Sequence, residues 1–250
     1  MTQLVAGLPI LSLFTLLPFA GALLLGVVPS SRPALIRGAA LLVSFATFVL
    51  SLLMLPGIRT FSSEFAYSEQ LSWIPSFGIT YHLGVDGLSG ALVVLTTLLS
   101  WICILASFGP IQNRVKEYYI SFLILETGML GVFLSLDLFL FYIFWEIVLV
   151  PMYLIIGIWG GADRIYATIK FVLYTLVGSL LMLVAMLATA FAHQSATGSW
   201  EGAFDLLTLR GSAFDPGLQL FAFAAFALAF AIKVPMFPFH TWLPDAHVQA

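Results

Sequence analysis

The chain has 250 residues, of which 61% are apolar and 8% charged, whereas an ordinary soluble domain carries about a quarter charged residues; with a mean hydropathy of +1.08 it reads as an integral membrane protein. Its net charge of −3 is small and dispersed, and no basic cluster or arm could track a phosphate backbone, so nucleic acid is excluded as a partner. The single cysteine, Cys103, rules out an intrachain disulfide and supplies one thiolate where iron–sulfur ligation needs about four.

A transmembrane helix needs about 20 mostly apolar residues, and seven stretches qualify. The first, Leu4 to Val28, has no Lys or Arg before it, is too long for a signal peptide and is followed by no A-x-A pattern, so it is read as a retained helix. A PSSRP turn (Pro29–Pro33) leads to the second, Ala34 to Leu55. A longer polar piece, Pro56 to Gly84, precedes the third, Val85 to Phe108, which carries Cys103 as a lipid-facing or packed residue. After GPIQNRVKE (Gly109–Glu117) comes the fourth, Tyr118 to Leu136. Asp137 alone separates it from the fifth, Leu138 to Trp159. GGADR (Gly160–Arg164) precedes the sixth, Tyr166 to Ala192, and a Gly/Ser/Asp-rich loop (His193–Gly217) precedes the seventh, Leu218 to Phe239. The expected fold class is therefore all-α integral membrane, with the seventh helix broken at Pro235 and Pro238.

Lys and Arg collect on the cytoplasmic side of a membrane. Alternate loops hold Arg32, Arg37, Arg114, Lys116 and Arg164 on one side against Arg59 and Arg210 on the other. The first set is expected to be cytoplasmic and the amino terminus outside. The outer loops then hold Glu64, Glu69, Asp86, Asp137, Glu201, Asp205 and Asp215.

Four ionisable residues remain within the spans: Glu126, Glu146, Lys170 and Lys233. Charge near the bilayer centre is costly, so such groups face a bundle interior or a wet cavity. Lys170 follows Arg164 closely, and its stem can snorkel to the headgroups. Glu126 and Glu146 each sit nine residues beyond a charged loop position, Glu117 and Asp137. Their helices run in opposite directions, so both carboxyls reach a similar depth, about 13.5 Å along the axis. Desolvation favours the neutral form of any buried acid or amine, and a neighbour of opposite charge reverses that preference. A pair made with Lys233 has two readings, a static contact that fixes packing or a proton-handling couple.

The surrounding prolines bear on that choice. Pro235 cannot donate to the carbonyl of Ala231, Pro238 cannot donate to that of Val234, and Pro151 frees that of Ile147 beside Glu146. Each is a simple kink or part of an ion site, since free carbonyls at membrane depth need protein or water to satisfy them. His240 lies seven residues past Lys233 and would share its face if the helix continued. It is either a proton relay near neutral pH or a satisfied histidine in an interfacial turn. With Asp245 and His247 it matches no zinc signature. There is no G-x-G-x-x-G, P-loop or C-x-x-C, so nothing in the sequence binds a dinucleotide, hydrolyses a nucleotide or holds a cluster.

Three blocks carry a resemblance: LGVDGLSGALVVLT (Leu83–Thr96), ILETGMLGVFLSLDLFLFYIFWEIVLVPMYLIIGIWGG (Ile124–Gly161) and FAIKVPMFPFHTWLPDAHVQA (Phe230–Ala250). They closely resemble the subunit-4 antiporter-like members of proton-pumping NADH:quinone oxidoreductase, respiratory complex I. The resemblance spans essentially the whole chain. It implies that Glu146 and Lys233 are the central proton-handling pair, that Glu126 is the glutamate one helix earlier, and that His240 has a lesser role. It implies no cofactor or metal in this chain, with NADH, FMN, iron–sulfur clusters and quinone in partner subunits. Antiporter-like neighbours in a bacterial cytoplasmic membrane are also implied. The family fold has two inverted five-helix repeats, so residues 1–250 form one membrane domain: an amino-terminal three-helix part over 1–116 and an incomplete first repeat over 117–250. Members of this family are about twice as long, so the second repeat would be missing. Mrp-type sodium/proton antiporter subunits share the glutamate and the lysine and stand as the alternative. A membrane-bound hydrogenase subunit and a non-catalytic scaffold are further readings.

Overall fold

The computed structural model describes residues 9–58 and 65–249. Arg59, Glu64, the first residues of the Leu4 stretch and Ala250 lie outside the described residues. Among those described, seven helical spans are long and apolar enough to cross a membrane, so the protein is a multi-pass membrane protein. The chain forms two compact units. The first runs to residue 70 and resumes over 82–135; the second comprises 71–81 and the residues from 136 onward.

In the first unit, helix α1 spans Ile10–Val27 and α2 spans Pro33–Met54, the latter opening on a proline whose missing N–H costs nothing in a first turn. Helix α3 (Gly87–Ala106) opens with a capping box between Asp86 and Ser89, and α4 covers Val115–Leu134. The start of α1 is capped from afar. Glu69 accepts the amides of Leu11 and Ser12 at 2.7 and 3.0 Å, and the Ser12 hydroxyl at 2.6 Å. At the opposite ends of these helices Arg37 donates to the Ile111 carbonyl at 2.7 Å, and Lys116 donates to that of Gly26. The loops expected to share a side therefore meet within this unit. Cys103 is exposed, facing out of the packed helices.

The polar piece before α3 is not an irregular loop. It forms a two-stranded sheet, β1 (Ala66–Ile74) with β2 (Ile79–Val85). Tyr67, Trp73, Ile74, Ile79, Tyr81 and Val85 are residues that suit a pleated, half-buried surface. The turn between the strands ends on Gly78 at φ 66°. A Cβ there would lie 1.7 Å from the Trp200 carbonyl oxygen, so the position needs glycine both for its backbone and for its space.

The second unit contains α5 (Leu138–Ile147), α6 (Leu149–Trp159), the long α7 (Arg164–Thr197), the short α8 (Leu206–Arg210), α9 (Pro216–Lys233) and α10 (Trp242–Gln249). The expected fifth helix is divided at Val148, three residues before Pro151, whose ring and missing N–H disturb the preceding turn. The sixth extends past Ala192 to Thr197 and stops at Gly198, which takes the left-handed conformation at φ 74°. Acids expected in the outer loops serve as amino-terminal caps. Asp137 accepts from Phe139 and Leu140, Asp205 from Thr208, and Asp215 from Gly217 and Leu218.

Asp137 is fully buried. It also accepts from the Thr80 amide at 2.8 Å and the Thr80 hydroxyl at 3.1 Å. Burial pushes its carboxyl above the ordinary range, against the pull of the bonds from Thr80, Leu140 and Phe139. The loop carrying Asp205 is stitched to it by Leu138 N–H to the Phe204 carbonyl and Leu206 N–H to the Leu136 carbonyl, both 2.8 Å. Helices α7 and α9 approach closely at Gly178, where a Cβ would lie 3.2 Å from the Ala229 Cα. Small residues at a helix contact allow this approach in a membrane.

Candidate functional site

Lys233 is the last residue of α9. Pro235 ends the helix because it has no N–H to give to the carbonyl of Ala231. That carbonyl is not left free, as the sequence suggested. The turn widens by one residue so that the Met236 amide, five residues on, donates to it at 2.8 Å, while Val234 donates to Phe230 at 2.8 Å. The next carbonyl, of Ile232, accepts the indole N–H of Trp242 at 2.8 Å. Trp242, the first residue of α10 and 6% exposed, therefore acts as a side-chain cap for the broken helix.

The ammonium lies 4.9 Å from the Trp145 ring centroid, a cation–π contact. Trp145 is held edge-on to Phe230 at 5.7 Å and tilted against Phe141 at 5.5 Å. Glu146 follows it on α5. Its Oε1 is buried without a hydrogen-bond partner, and Tyr142, one turn earlier on the same face, has its hydroxyl near Glu146 and near Ser179 of α7. Glu146 and Lys233 make no ion pair within 4.0 Å. The arrangement is a separated acid and amine with an aromatic ring at the amine and a phenol at the acid. Such a pair can exchange proton occupancy without first breaking a locked salt bridge.

The other expected residues fall elsewhere. Glu126 lies in the first unit on α4, fully buried, with both oxygens unpartnered and Ser44 beside it. His240 does not share a helical face with Lys233, because α9 stops before it. It sits in the 3₁₀ turn Phe239–Thr241, its ring tilted 32° against that of Phe237 at 5.8 Å, with Nδ1 buried and unpartnered. Lys170 does not simply snorkel. It pairs with Asp245 at 2.7 Å, which also removes Asp245 from the His240–His247 trio.

Residues 135–250 match the family described as NADH:quinone oxidoreductase/Mrp antiporter, TM. The chain is 47% identical to NADH-quinone oxidoreductase subunit M of Rhodobacter capsulatus, over 96% of this chain and 48% of that protein. It is 43% identical to NADH-ubiquinone oxidoreductase chain 4 of Marchantia polymorpha, over 96% and 47%. Its segment 135–250 thus carries the membrane domain of the NADH:quinone oxidoreductase/Mrp antiporter family. Among solved structures it resembles a chain of respiratory complex I from Thermus thermophilus, with TM-score 0.82 and 32% identity over 96% of this chain and 47% of that one. A chain of the Mrp complex from Dietzia shares the fold alone, with TM-score 0.77 and 22% identity over 96% and 25%. The chain thus spans about half the length of the relatives it matches.

The family match contains Glu146, Lys233 and His240, whereas Glu126 precedes it. Sequence reasoning did not single out Trp145, Tyr142, Ser179 or Trp242. Two of these were within reach. Tyr142 stands four residues before Glu146, on the same helical face, and Trp145 is its neighbour in the FWE triplet. Ser179 and Trp242 carry no such local signal, since their roles depend on which helix packs against which.

Proposed function

We propose that the chain is a proton-translocating membrane subunit of NADH:quinone oxidoreductase, coupling quinone reduction in partner subunits to proton movement through Glu146 and Lys233. The observation that carries this reading is a lysine at the end of a broken helix, faced by the ring of Trp145, whose neighbour Glu146 holds a buried, unpartnered carboxyl oxygen. In this reading a change in the separation of acid and amine, or in their hydration, decides whether Lys233 holds or releases its proton. Tyr142 supplies a hydroxyl beside the acid, and Ser179 lies next to that hydroxyl. Glu126, with Ser44 beside it, is a second buried carboxyl, and His240 is an accessory polar group near the break. NADH, FMN, iron–sulfur clusters and quinone belong to partner subunits in this reading. A single cysteine is too few to ligate an iron–sulfur cluster in this chain. Its neighbours are other antiporter-like membrane subunits, in a bacterial cytoplasmic membrane with the amino terminus outside. Alternating loop cations support that orientation.

In the full-length protein within its complex, Lys233→Ala is expected to abolish coupled proton pumping while the complex still assembles. Normal proton stoichiometry in that variant removes the lysine from the mechanism. Co-purification tests the partner class. Flavin and iron–sulfur subunits support this reading, whereas sodium-dependent proton flux without them replaces it with a cation/proton antiporter.

A further inference from the structure

Helix α10 follows the break at Lys233, and two of its attachments come from one stripe of α7. Tyr166, Lys170 and Tyr174 are spaced by four residues and share a helical face. Lys170 Nζ reaches Asp245 Oδ2 of α10 at 2.7 Å and lies 5.7 Å from the Tyr166 ring centroid. Thr241, just before α10, donates its hydroxyl to that of Tyr174 at 2.9 Å. At the far end, the Gly161 amide donates to the Gln249 carbonyl at 2.7 Å, and the Asp163 amide to the Gln249 side chain at 3.0 Å. A cavity of about 290 Å³ opens beside the ion pair, with Asp163, Tyr166, Asp245 and Gln249 among its walls.

The opposite end of α10 carries Trp242, which closes the Ile232 carbonyl immediately before Lys233. Movement of α10 away from α7 therefore withdraws a cap from the last turn of α9. Lys170 and Asp245 are 21% and 38% exposed. A pair with this access to solvent opens readily, whereas a fully buried one resists separation. The geometry points to Lys170–Asp245 as a positioning latch for the proton-handling lysine. Closed, it holds α10 on α7 and keeps Trp242 on Ile232. Open, it frees the Lys233 end of α9 to move relative to Glu146. This inference rests on the proton-translocating reading, and Lys170 and Asp245 act through α10 as positioning residues.

The test uses the full-length protein in its assembled complex, with Lys170→Met, Asp245→Asn and the exchanged pair Lys170→Asp/Asp245→Lys. One readout is proton transport per turnover. The second is the maleimide labelling rate of Ala246→Cys in a Cys103→Ser background, because Ala246 is 2% exposed while α10 is seated. Each single variant is expected to lower transport at least threefold and to speed labelling severalfold, and the exchanged pair to recover at least half of both. Wild-type transport in the single variants overturns the latch. So does an exchanged pair as impaired as they are, or failure of all three to assemble. Lys233→Ala run in parallel separates the two ideas. Normal pumping in that variant defeats the proton-translocating reading and with it any coupling of the latch to pumping. Lost pumping there, with unaffected Lys170→Met and Asp245→Asn, defeats the latch alone.

Discussion

Replacing Trp145 gives a graded test of the candidate site, because its ring touches Lys233 while Glu146 and the helix break stay in place. With the ammonium 4.9 Å from the ring centroid and largely out of water, the contact contributes about 0.5–2 kcal/mol. At about 1.4 kcal/mol per factor of ten, that energy changes the ratio of charged to neutral Lys233 by roughly 2- to 30-fold. Phenylalanine keeps a smaller π face and leucine keeps none, so Trp145→Phe is expected to reduce coupled pumping modestly and Trp145→Leu severalfold further. Trp145 also packs against Phe141 and Phe230, and leucine retains part of that apolar contact. The measurement is initial proton-pumping rate in closed vesicles, normalised to electron transfer and to assembled complex. Equal rates in the Phe and Leu variants would show that the ring acts as packing alone and refute the electrostatic argument.

Trp242→Phe keeps a ring against Phe171, 5.3 Å away, but leaves the Ile232 carbonyl without its donor. The expected cost is about 1–3 kcal/mol, seen as a lower thermal unfolding midpoint in detergent; an unchanged midpoint contradicts the cap. Gly178→Ile forces a branched side chain into the seam where a Cβ already meets the Ala229 Cα at 3.2 Å. Overpacking of about 1–3 kcal/mol is expected to raise amide exchange in α9, and Gly178→Ala to do so less. Asp137→Asn tests the buried cap through pH. Because the folded carboxyl binds its proton more tightly than the unfolded one, the Asp137 contribution is fullest below the ordinary carboxyl pKa of about 3.9. It declines as pH rises through the raised folded value. The stability of the wild type relative to Asp137→Asn should therefore fall as pH rises above about 4, and a rise would reverse the assignment.

Hydrophobic run length fixes the number of spans, because lipid leaves the backbone no partner except its own helix. Charge excess in alternate loops groups the 29–33 and 109–117 turns, and near them Arg37 reaches the Ile111 carbonyl and Lys116 that of Gly26. Proline position marks the end of α9 at Lys233. These are local consequences of chain chemistry, and composition and spacing determine them without reference to a neighbour. The strands over 66–85 were also encoded locally, in aromatic and β-branched residues around a P-S-F-G turn, but their polar spacing resembles an ordinary loop.

The fate of groups released by the break depends on tertiary structure. The Ala231 and Ile232 carbonyls found Met236 and Trp242, because the strength of an unpaired buried acceptor draws any donor the packing brings near. His240 lost its register because α9 ends before the turn that carries it. Lys170 and Asp245, 75 residues apart, meet only because α10 folds back on α7. Sequence determines which residues must leave water; packing determines which other residue each of them meets, since electrostatic and hydrogen-bond energies decay over a few ångströms that chain order does not specify.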